Sequence, residues 1–535
     1  MICLGLHAGG ADASAALLVD GQLVAMMEQE RFDHQKHSAA FPTDAVDFCL
    51  NFAGLALAEV DLVAHATDLA DEEIMRALGS CQKVVRHLHH QAHAASVFLT
   101  SPFERAAILT LDGCGGGIST SLGQGEALGM TSLVQVPCPH SLGLFYGAFT
   151  QYLGFAAGGD EGKTMGLAAY GQPRFLDALR SLCRVTEQGG FELDLSWFAF
   201  SSGCGGIVPR VPSYSGKMVE RFGPPRLAEA DIKERDVDLA ASVQALLEER
   251  CQELLAVLHR LTGLDTVCLA GGVALNCSMN GRIRATTPFR DVFVTPAAND
   301  AGLSLGAALL ASRDLDPGFR RQALTHAYYG SAHDEQEMAQ ALAQLAPEVQ
   351  VCRPPQLAEA VADLLAEHQI VGWYQGRMEF GPRALGHRSI LANPGRAEAK
   401  DRVNAKVKFR EGFRPFAPVV PNEDADSWFV QGQNQPFMLT VDRVRPERSH
   451  QIPAVTHVDG TARVQTVTVE QNAGLHGLLK AMERRNGVPV LLNTSFNVRG
   501  DTIVRTPMDA VRCFLDTGMN ALAIGPFLAV KTIYS

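Results

Sequence analysis

Residues 106–122 read AAILTLDGCGGGISTSL, a pattern that recurs in the predicted architecture. The apolar run Ala106–Leu111 predicts a buried strand, and Asp112 with the glycines after it predicts a tight turn. Ile118–Leu122 then leads away as a second strand. The pattern places an aspartate at a glycine-rich turn, where its carboxylate can project into a cleft.

The amino terminus repeats this plan. Ile2–His7 and Ser14–Val19 predict two strands, joined by a glycine-containing turn that carries Asp12. The dipeptide Asp20-Gly21 is a strong hairpin signal, and Gln22–Met27 forms the return strand. Two such units resemble the actin, hexokinase and Hsp70 type of fold, in which two related α/β halves enclose a nucleotide or a phosphate.

Two further strands end at turns of the same kind. Val267–Leu269 enters the glycine turn Ala270–Asn276, and Val292–Thr295 enters a turn that carries Asp300. Between the two pairs of strands, Asp231–Leu261 has the apolar spacing of a long amphipathic helix, which we expect to pack in the core.

Four histidines fall within residues 87–93, although the whole chain has 17. Their apolar neighbours predict a helix on which His89 and His93, four residues apart, share a face. Two imidazoles one turn apart form half of a transition-metal site. Asp112 and Asp300 could complete it for Fe(II), Mn(II) or Zn(II). The alternatives are a plain hairpin residue for Asp112 and a helix N-cap for Asp300.

The most basic part of the chain is Arg377–Arg414, with ten Lys or Arg, four Asp or Glu and a local charge of +6. Because apolar residues and glycines interrupt the charges, we expect a pocket for phosphate oxygens and not a solvated face. A groove for tRNA or single-stranded nucleic acid is the rival interpretation.

The amino-acid composition limits the kinds of partner that this chain is expected to bind. The net charge of −12 argues against broad binding to nucleic acid or to an anionic membrane. No apolar run is long enough to span a bilayer, and the start lacks the features of a signal peptide. Twelve cysteines without a Cys-x-x-Cys motif predict reduced thiols and a cytoplasmic protein. Cys114 and Cys277 are expected to be core or loop residues.

The 535 residues are too many for one ordinary domain. Residues 1–350 are predicted to form one domain and residues 356–535 a second. The polar stretch 334–355, which ends in Pro354-Pro355, is taken as the linker.

Many separated motifs, in order over nearly the whole chain, resemble the O-carbamoyltransferases of the nodulation-protein-U and tobramycin-carbamoyltransferase type. In the first domain these are residues 12–17, 30–32, 36–37, 89–96, 161–168 and 271–276. In the second they are residues 379–386, 408–411, 414–418, 459–463 and 493–497.

The resemblance implies an α/β enzyme with two active regions. The first domain would be a duplicated, actin-like (ASKHA) α/β domain related to the tRNA threonylcarbamoyl-transferase fold, and the second an α+β YrdC-like domain. The second domain would make carbamoyl-adenylate from carbamoyl phosphate and ATP, with Mg(II). The first would transfer the carbamoyl group to a hydroxyl of a small-molecule acceptor, such as a secondary metabolite of antibiotic biosynthesis.

Site residues follow from the same resemblance. Fe(II), or another divalent transition metal, would be held by His89, His93, Asp112 and Asp300. Catalytic roles would fall to Asp12, Lys36, His89 and Asp300. Phosphate and nucleotide binding would involve Lys36, reaching in from the first domain, with Arg383, Lys408, Arg414, Arg463, Ser495, Gly271, Gly272 and Asn276.

One residue departs from the family pattern. The motif commonly reads His-Asp-Ala-Ser, whereas this chain has Ala11-Asp12-Ala13-Ser14. His7, four residues upstream, could compensate, or could be a strand-end residue. Two alternatives remain: a tRNA threonylcarbamoyl-type modification protein built from the same folds, or a non-catalytic nucleotide-binding module, which Ala11 favours. The Gly- and Pro-rich stretch 196–225 is predicted to form part of the acceptor wall or a surface loop, and a homodimer is possible.

Overall fold

The computed structural model describes residues 1–79, 83–200, 212–345 and 347–531. They form two compact units, Met1–Val24 with Ala39–Leu324, and Ala25–Ser38 with Thr325–Ser535. The structure thus places the boundary earlier than the predicted 350. It also assigns Ala25–Ser38, which the sequence placed in the first domain, to the second unit. No helix among the described residues is both long and apolar enough to cross a membrane.

The strands are numbered in chain order. They are β1 Ile2–His7, β2 Ser14–Val19, β3 Gln22–Glu28, β4 Leu62–His65, β5 Val84–Arg86, β6 Arg105–Gly115, β7 Ile118–Glu126, β8 Gly129–Pro137, β9 Cys183–Val185, β10 Phe191–Leu193, β11 Thr266–Ala270, β12 Asp291–Val294, β13 Val349–Cys352, β14 Val371–Tyr374, β15 Arg388–Ala392, β16 Ala417–Pro421, β17 Val441–Arg443, β18 Thr461–Arg463, β19 Gln465–Val467, β20 Leu491–Ser495, β21 Ala521–Ile524 and β22 Phe527–Lys531.

The helices follow the same convention. They are α1 Glu30–Asp33, α2 Thr43–Ala53, α3 Asp71–Leu78, α4 His89–Phe98, α5 Leu142–Tyr152, α6 Glu161–Ala168, α7 Leu176–Arg180, α8 Gly216–Phe222, α9 Glu234–Thr262, α10 Cys277–Thr286, α11 Gly302–Leu315, α12 Glu335–Leu342, α13 Leu357–Ala366, α14 Glu398–Val403, α15 Ala425–Trp428, α16 Pro446–Ser449, α17 Ala473–Asn486 and α18 Pro507–Leu515. A π-helical turn, Asn404–Lys408, continues α14.

The first unit contains two five-stranded sheets with the same plan. Their strand orders are β3-β2-β1-β4-β5 and β12-β11-β6-β7-β8. In one, β1 pairs antiparallel with β2 and parallel with β4; in the other, β6 pairs antiparallel with β7 and parallel with β11. The repeated strand and hairpin in the sequence therefore corresponds to a repeated sheet topology.

Helices α9 and α11 fill the core of this unit. The prediction of a long helix at 231–261 is confirmed, because α9 covers nearly the same residues and its apolar stripe is buried. Helix α11 packs against α4, β1 and β2. Gly5 on β1 allows this contact, since a Cβ there would lie 1.9 Å from the Ser304 carbonyl oxygen.

The second unit is built around an eight-stranded mixed sheet of order β13-β22-β21-β14-β15-β20-β16-β19. Two apolar clusters cover its faces, one around Phe416, Trp428 and Phe496 and the other around Trp373 and Leu478. The stretch 334–355, predicted as a linker, contributes α12 and the edge strand β13, which pairs with β22. Those residues are therefore part of the second unit.

Gly306 on α11 sets the spacing of two helices beside the histidine run. A Cβ at this position would lie 1.9 Å from the carbonyl oxygen of Ala92, between His89 and His93. We expect Gly306→Ala to lower the free energy of unfolding by about 1–3 kcal/mol, because backbone must move to admit the methyl group. Gly477→Ala is the matched control, since a Cβ there meets nothing within 4 Å. Chemical denaturation of both variants measures the effect, and equal stabilities would contradict it.

Candidate functional site

Helix α4 presents two histidines on one face. It begins at His89, directly after the extended residue Leu88, so His89 and His93 lie one turn apart, as predicted. Their Nε2 atoms are 3.1 Å apart. His93 is fully buried and His89 nearly so. Both rings therefore point to one place at the amino-terminal end of α4.

Asp112 reaches the histidines from the end of β6. The β6–β7 pairing is irregular between Leu111 and Gly115, which turns the Asp112 side chain out of the sheet. Its Oδ2 lies 2.9 Å from Nε2 of His89, and its Oδ1 accepts a hydrogen bond from the Gly272 amide at 3.0 Å. Gly115 must lack a side chain, because a Cβ would lie 2.2 Å from the His89 ring.

Asp300 approaches from the loop between β12 and α11. Its Oδ1 is 3.3 Å from Nε2 of His93 and 3.6 Å from Nε2 of His89. It is not the N-cap of α11, a position held by Ala301. The structure thus brings the four predicted ligands together, with one ligand atom from each lying within 4.8 Å of all the others.

The donor set and its spacing fit a divalent transition metal. For bonds of about 2.0–2.2 Å, ligand atoms lie roughly 3.0 Å apart in adjacent octahedral positions and roughly 3.4 Å apart in tetrahedral ones. Nε2 of His93 also lies 3.6 Å from Oδ2 of Asp112, so the five distances between these nitrogen and oxygen atoms span 2.9–3.6 Å. Two imidazoles with two carboxylates suit Fe(II), Mn(II) or Zn(II).

The pKa shifts within the cluster also fit a divalent metal. Burial alone would lower the pKa of His93, but its contacts with Asp112 and Asp300 outweigh burial and raise that pKa to about 9. Burial would raise the pKa of Asp112, yet His89 and His93 hold it well below its ordinary value. The charged Asp112 carboxylate thus lies next to a positive charge on His93, which a metal cation can replace.

His90 does not belong to this cluster. Its Nδ1 lies 2.6 Å from Oγ1 of Thr110, and its Nε2 lies 3.0 Å from the Ile118 carbonyl oxygen. Burial, reinforced by His93, lowers its pKa to about 4. A neutral, doubly engaged imidazole of this kind braces α4 against β6 and β7.

The cysteines correct one prediction. A disulfide joins Cys114, near the end of β6, to Cys138, the residue after β8. The expectation of reduced thiols is therefore wrong for this pair, which closes a loop over the strands that carry the Asp112 turn. Cys277 is a buried free thiol, in agreement with its interpretation as a core residue.

The glycine turn after β11 supports Asp112. Gly271 has φ of +89°, and a Cβ there would lie 2.1 Å from the Leu111 carbonyl oxygen, so only glycine fits. Asn276 is engaged within the fold, because its side chain caps α10 through the Met279 amide and exchanges hydrogen bonds with Gln244. Gly271, Gly272 and Asn276 were predicted to bind nucleotide. Of these, Gly272 contacts Asp112 directly through its amide.

Lys408 lies at the centre of the basic cluster in the second unit. It ends the π-helical turn and is 4% exposed. Its ammonium donates to the carbonyl and side-chain oxygens of both Ser495 and Asn497, at 2.5–3.1 Å. Burial, with repulsion from Arg410, holds its pKa well below its ordinary value. The four acceptors are neutral oxygens, so an anionic ligand beside Lys408 would favour the charged form of its ammonium.

The other cations gather around Lys408. Arg414 and Lys36 also lower the pKa of Lys408, and Arg414 and Arg463 lower that of Arg410 after burial. Such mutual repulsion among buried cations is common at functional sites. The structure thus groups Lys36, Lys408, Arg414, Arg463 and Ser495, as the resemblance implied.

Arg410 and Asn497 were missed as site residues. Arg410 is stacked on Phe416 and donates to Asn404, so its guanidinium is fixed. Asn497 holds both Lys408 and Ser495. Arg410 follows Lys408 by two residues, and Asn497 follows Ser495 by two residues. This spacing was the sequence signal that could have identified them.

Arg383 stands on a tightly folded loop. Oε1 of Glu379 accepts hydrogen bonds from the amides of Leu385, His387 and Arg388. These bonds close the loop that carries Arg383, which is half-buried. The motif Glu379–Gly386 is therefore a loop held in shape by one buried carboxylate.

The segment Ala25–Ser38 delivers Lys36 to the second unit. Arg31 is buried and donates to the Gly381 carbonyl oxygen at 2.9 Å, and Oε1 of Glu28 accepts from the Gly381 amide. Lys36 is exposed, yet loss of water around its ammonium, followed by repulsion from Arg414, lowers its pKa. The segment Ala25–Ser38 thus brings Lys36 close to the basic cluster around Lys408.

Glu28 should make the stability of the chain depend on pH. Burial raises its pKa from 4.5 to about 7, so the stabilisation is complete below pH 4.5 and is lost as the pH rises through 7. We expect Glu28→Gln to raise the free energy of unfolding at pH 8 by up to about 3 kcal/mol and to change it little at pH 4.5. Urea unfolding at both pH values measures this. The exposed Glu367→Gln is the control, and equal behaviour of the two variants would refute the prediction.

Comparison with known proteins places the chain in a family. The family model described as the carbamoyltransferase N-terminus matches residues 2–79 and 72–309, and the one described as the carbamoyltransferase C-terminus matches residues 362–531. Solved structures overlap less well. The HypF protein of T. kodakarensis matches with a TM-score of 0.34 and 14% identity, covering 60% of this chain and 48% of its own. At that score the overlap does not decide the fold.

Curated relatives span most of the chain. An uncharacterised protein of Synechocystis is 37% identical over 99% of this chain and 96% of its own length. The nodulation protein NolNO of Sinorhizobium fredii is 36% identical over 99% and 83%. The 3'-hydroxymethylcephem-O-carbamoyltransferase of Streptomyces clavuligerus is 29% identical over 94% of each. The chain therefore belongs to the O-carbamoyltransferase family and is a carbamoyltransferase.

Proposed function

We propose that this enzyme is an ATP-dependent O-carbamoyltransferase that works in two steps. The observation that carries the proposal is the presence of two unlike clusters in one chain. One is a quartet of two histidines and two aspartates in the first unit, and the other is a cluster of cations in the second. Each cluster suits a different half of a carbamoyl transfer.

The first step is activation in the second unit. Carbamoyl phosphate, ATP and one water would give carbamoyl-adenylate, phosphate and pyrophosphate. This chemistry concentrates phosphate charge, and Lys408, Arg414 and Arg463 with Lys36 and Arg383 would neutralise it. Ser495 would supply a neutral hydrogen bond to an oxygen. Mg(II) would accompany ATP, and the unit would be of the YrdC-like class.

The second step is transfer in the first unit. An acceptor hydroxyl oxygen attacks the carbamoyl carbon, the bond from that carbon to the AMP oxygen breaks, and the hydroxyl proton leaves to a base, for which Asp12 is the candidate. A bound Fe(II) would supply Lewis acidity to the carbamoyl group. His89, His93, Asp112 and Asp300 would hold the metal, while Gly272 orients Asp112.

The two sheets of the first unit have the same topology, and this repeat supports an actin-like fold for that unit. The acceptor is proposed to be a small molecule with a free hydroxyl, because the relative from S. clavuligerus is named for a hydroxymethylcephem. Part of the predicted acceptor wall, residues 201–211, lies outside the described residues. A cytoplasmic setting is proposed as well.

Incubation with carbamoyl phosphate, ATP, Mg(II) and Fe(II) tests the proposal. We expect carbamoyl-adenylate by mass spectrometry, together with pyrophosphate. A panel of hydroxylated small molecules should then gain carbamoyl groups, whereas unmodified tRNA should not. The absence of carbamoyl-adenylate with every metal tried would overturn the proposal, and carbamoylation of tRNA alone would favour the modification-protein alternative.

A further inference from the structure

His7 is a buried histidine beside the metal-type quartet but outside it. It ends β1, and its side chain is 5% exposed. Its Nε2 lies 3.1 Å from the Ala11 carbonyl oxygen and 3.8 Å from Oδ2 of Asp300. Its Nδ1 is buried and meets no hydrogen-bond partner among the described residues.

These contacts fix the tautomer of the ring. A carbonyl oxygen can only accept a hydrogen bond, so the hydrogen of His7 must be on Nε2. A hydrogen on Nδ1 would be buried without an acceptor, which is costly. The Nε2–H group therefore faces two oxygen atoms, one of the Ala11 peptide and one of the Asp300 carboxylate.

The two oxygens of Asp300 are divided between different neighbours. Oδ1 faces His89 and His93, at 3.6 and 3.3 Å, and Oδ2 faces His7. The second contact is longer than a hydrogen bond, but an N–H group at this distance still attracts a carboxylate in a buried site. His7 therefore favours the orientation in which Oδ1 is the oxygen presented to the quartet.

The same nitrogen holds the turn that carries Asp12. The Ala11 carbonyl oxygen belongs to the peptide that leads into Asp12, and Asp12 has φ of +64°, an uncommon value for an aspartate. Gly10 lies over the ring, where a Cβ would be 3.7 Å from Nε2. The bond from His7 thus fixes the orientation of the peptide next to a left-handed residue.

We propose that His7 is a positioning residue that ties the Asp12 turn to Asp300 through its Nε2–H group. It binds no metal itself. It keeps one carboxylate oxygen of Asp300 aimed at the quartet and holds the Asp12 turn against the same point. This role rests on the proposed metal centre and adds a residue to it.

Substitution of His7 by glutamine or by asparagine distinguishes a positioning role of this residue from a packing role. Glutamine can place an N–H near the position of the histidine Nε2, whereas asparagine reaches only the Nδ1 position. We therefore compare His7→Gln, His7→Asn and His7→Leu with the wild type in the full chain. The readouts are the Co(II) dissociation constant from chelator competition and the visible absorption spectrum of the Co(II) protein.

We expect His7→Asn and His7→Leu to bind Co(II) about 10–100-fold more weakly, with an altered spectrum, as for other residues that orient a metal ligand. His7→Gln should stay close to the wild type in both. Carbamoyl-adenylate formation, assigned to the other unit, should be unchanged in all three, and the circular dichroism spectrum of each variant is the control for folding.

The results with the variants and with the wild type test the positioning role and the metal centre separately. If His7→Asn binds Co(II) with the wild-type affinity and spectrum, or if His7→Gln is as weak as His7→Leu, the positioning role is overturned while the metal centre stands. If the wild type itself binds no divalent metal, the proposed centre falls, and this inference with it.

Discussion

Replacement of His93 by alanine is expected to abolish tight metal binding and carbamoyl transfer while carbamoyl-adenylate formation continues. His93 is fully buried, and its Nε2 lies within 3.6 Å of the nearest donor atom of each of the other three proposed ligands. Its loss removes one of four donors and leaves Asp112 and Asp300 without their shared imidazole. Metal affinity should fall by more than the roughly 10–100-fold that a change outside the ligand set costs.

Metal content after gel filtration, and separate assays of the two steps, measure the result. His87→Ala is the matched control, since His87 lies in the same histidine run but outside the quartet. Loss of both steps in His93→Ala, with a normal circular dichroism spectrum, would contradict the assignment of the steps to two clusters. Retention of metal and transfer would contradict the site itself.

Replacement of Lys408 by methionine is expected to stop adenylate formation and to leave metal binding unchanged. The ammonium is buried among oxygens of Ser495 and Asn497, so methionine keeps much of the volume and removes the charge. Removal of one fixed donor at developing negative charge costs about 10²–10³ in rate. We expect a loss at least this large, because Lys408 lies at the centre of the cationic group.

Pyrophosphate release with carbamoyl phosphate and ATP measures this loss. Lys406→Met is the control, because Lys406 lies in the same π-helical turn and is exposed. The Lys408 variant should still transfer the carbamoyl group from carbamoyl-adenylate prepared separately. A variant that makes adenylate at the wild-type rate would remove Lys408 from the mechanism.

Local patterns allowed much of the first unit to be predicted. Hairpin signals such as Asp20-Gly21 and the apolar strand before Asp112 depend on neighbouring residues, so they are legible in one sequence. The spacing of His89 and His93 is likewise a local property of a helix. Their meeting with Asp300 depends on the β6–β11–β12 pairing, which the sequence only suggested through strands that end in turns.

Non-local contacts explain what was missed. The disulfide from Cys114 to Cys138 forms because the β6–β7–β8 meander brings two distant turns together. Asn276 follows the glycine turn after β11, and its hydrogen-bond partner Gln244 is 32 residues away on another helix. Nothing in the residues around Lys36 indicates that they pack against Gly381.

The segment Ala25–Ser38 has a consequence for dissecting the gene. The chain passes between the two units three times, after Val24, after Ser38 and after Leu324. A fragment that starts at Thr325 would therefore lack Glu28, Arg31 and Lys36, which interact with Gly381 and Arg414 of the same unit. The two units are interlaced in the polypeptide, so neither can be separated, swapped or duplicated by a single cut.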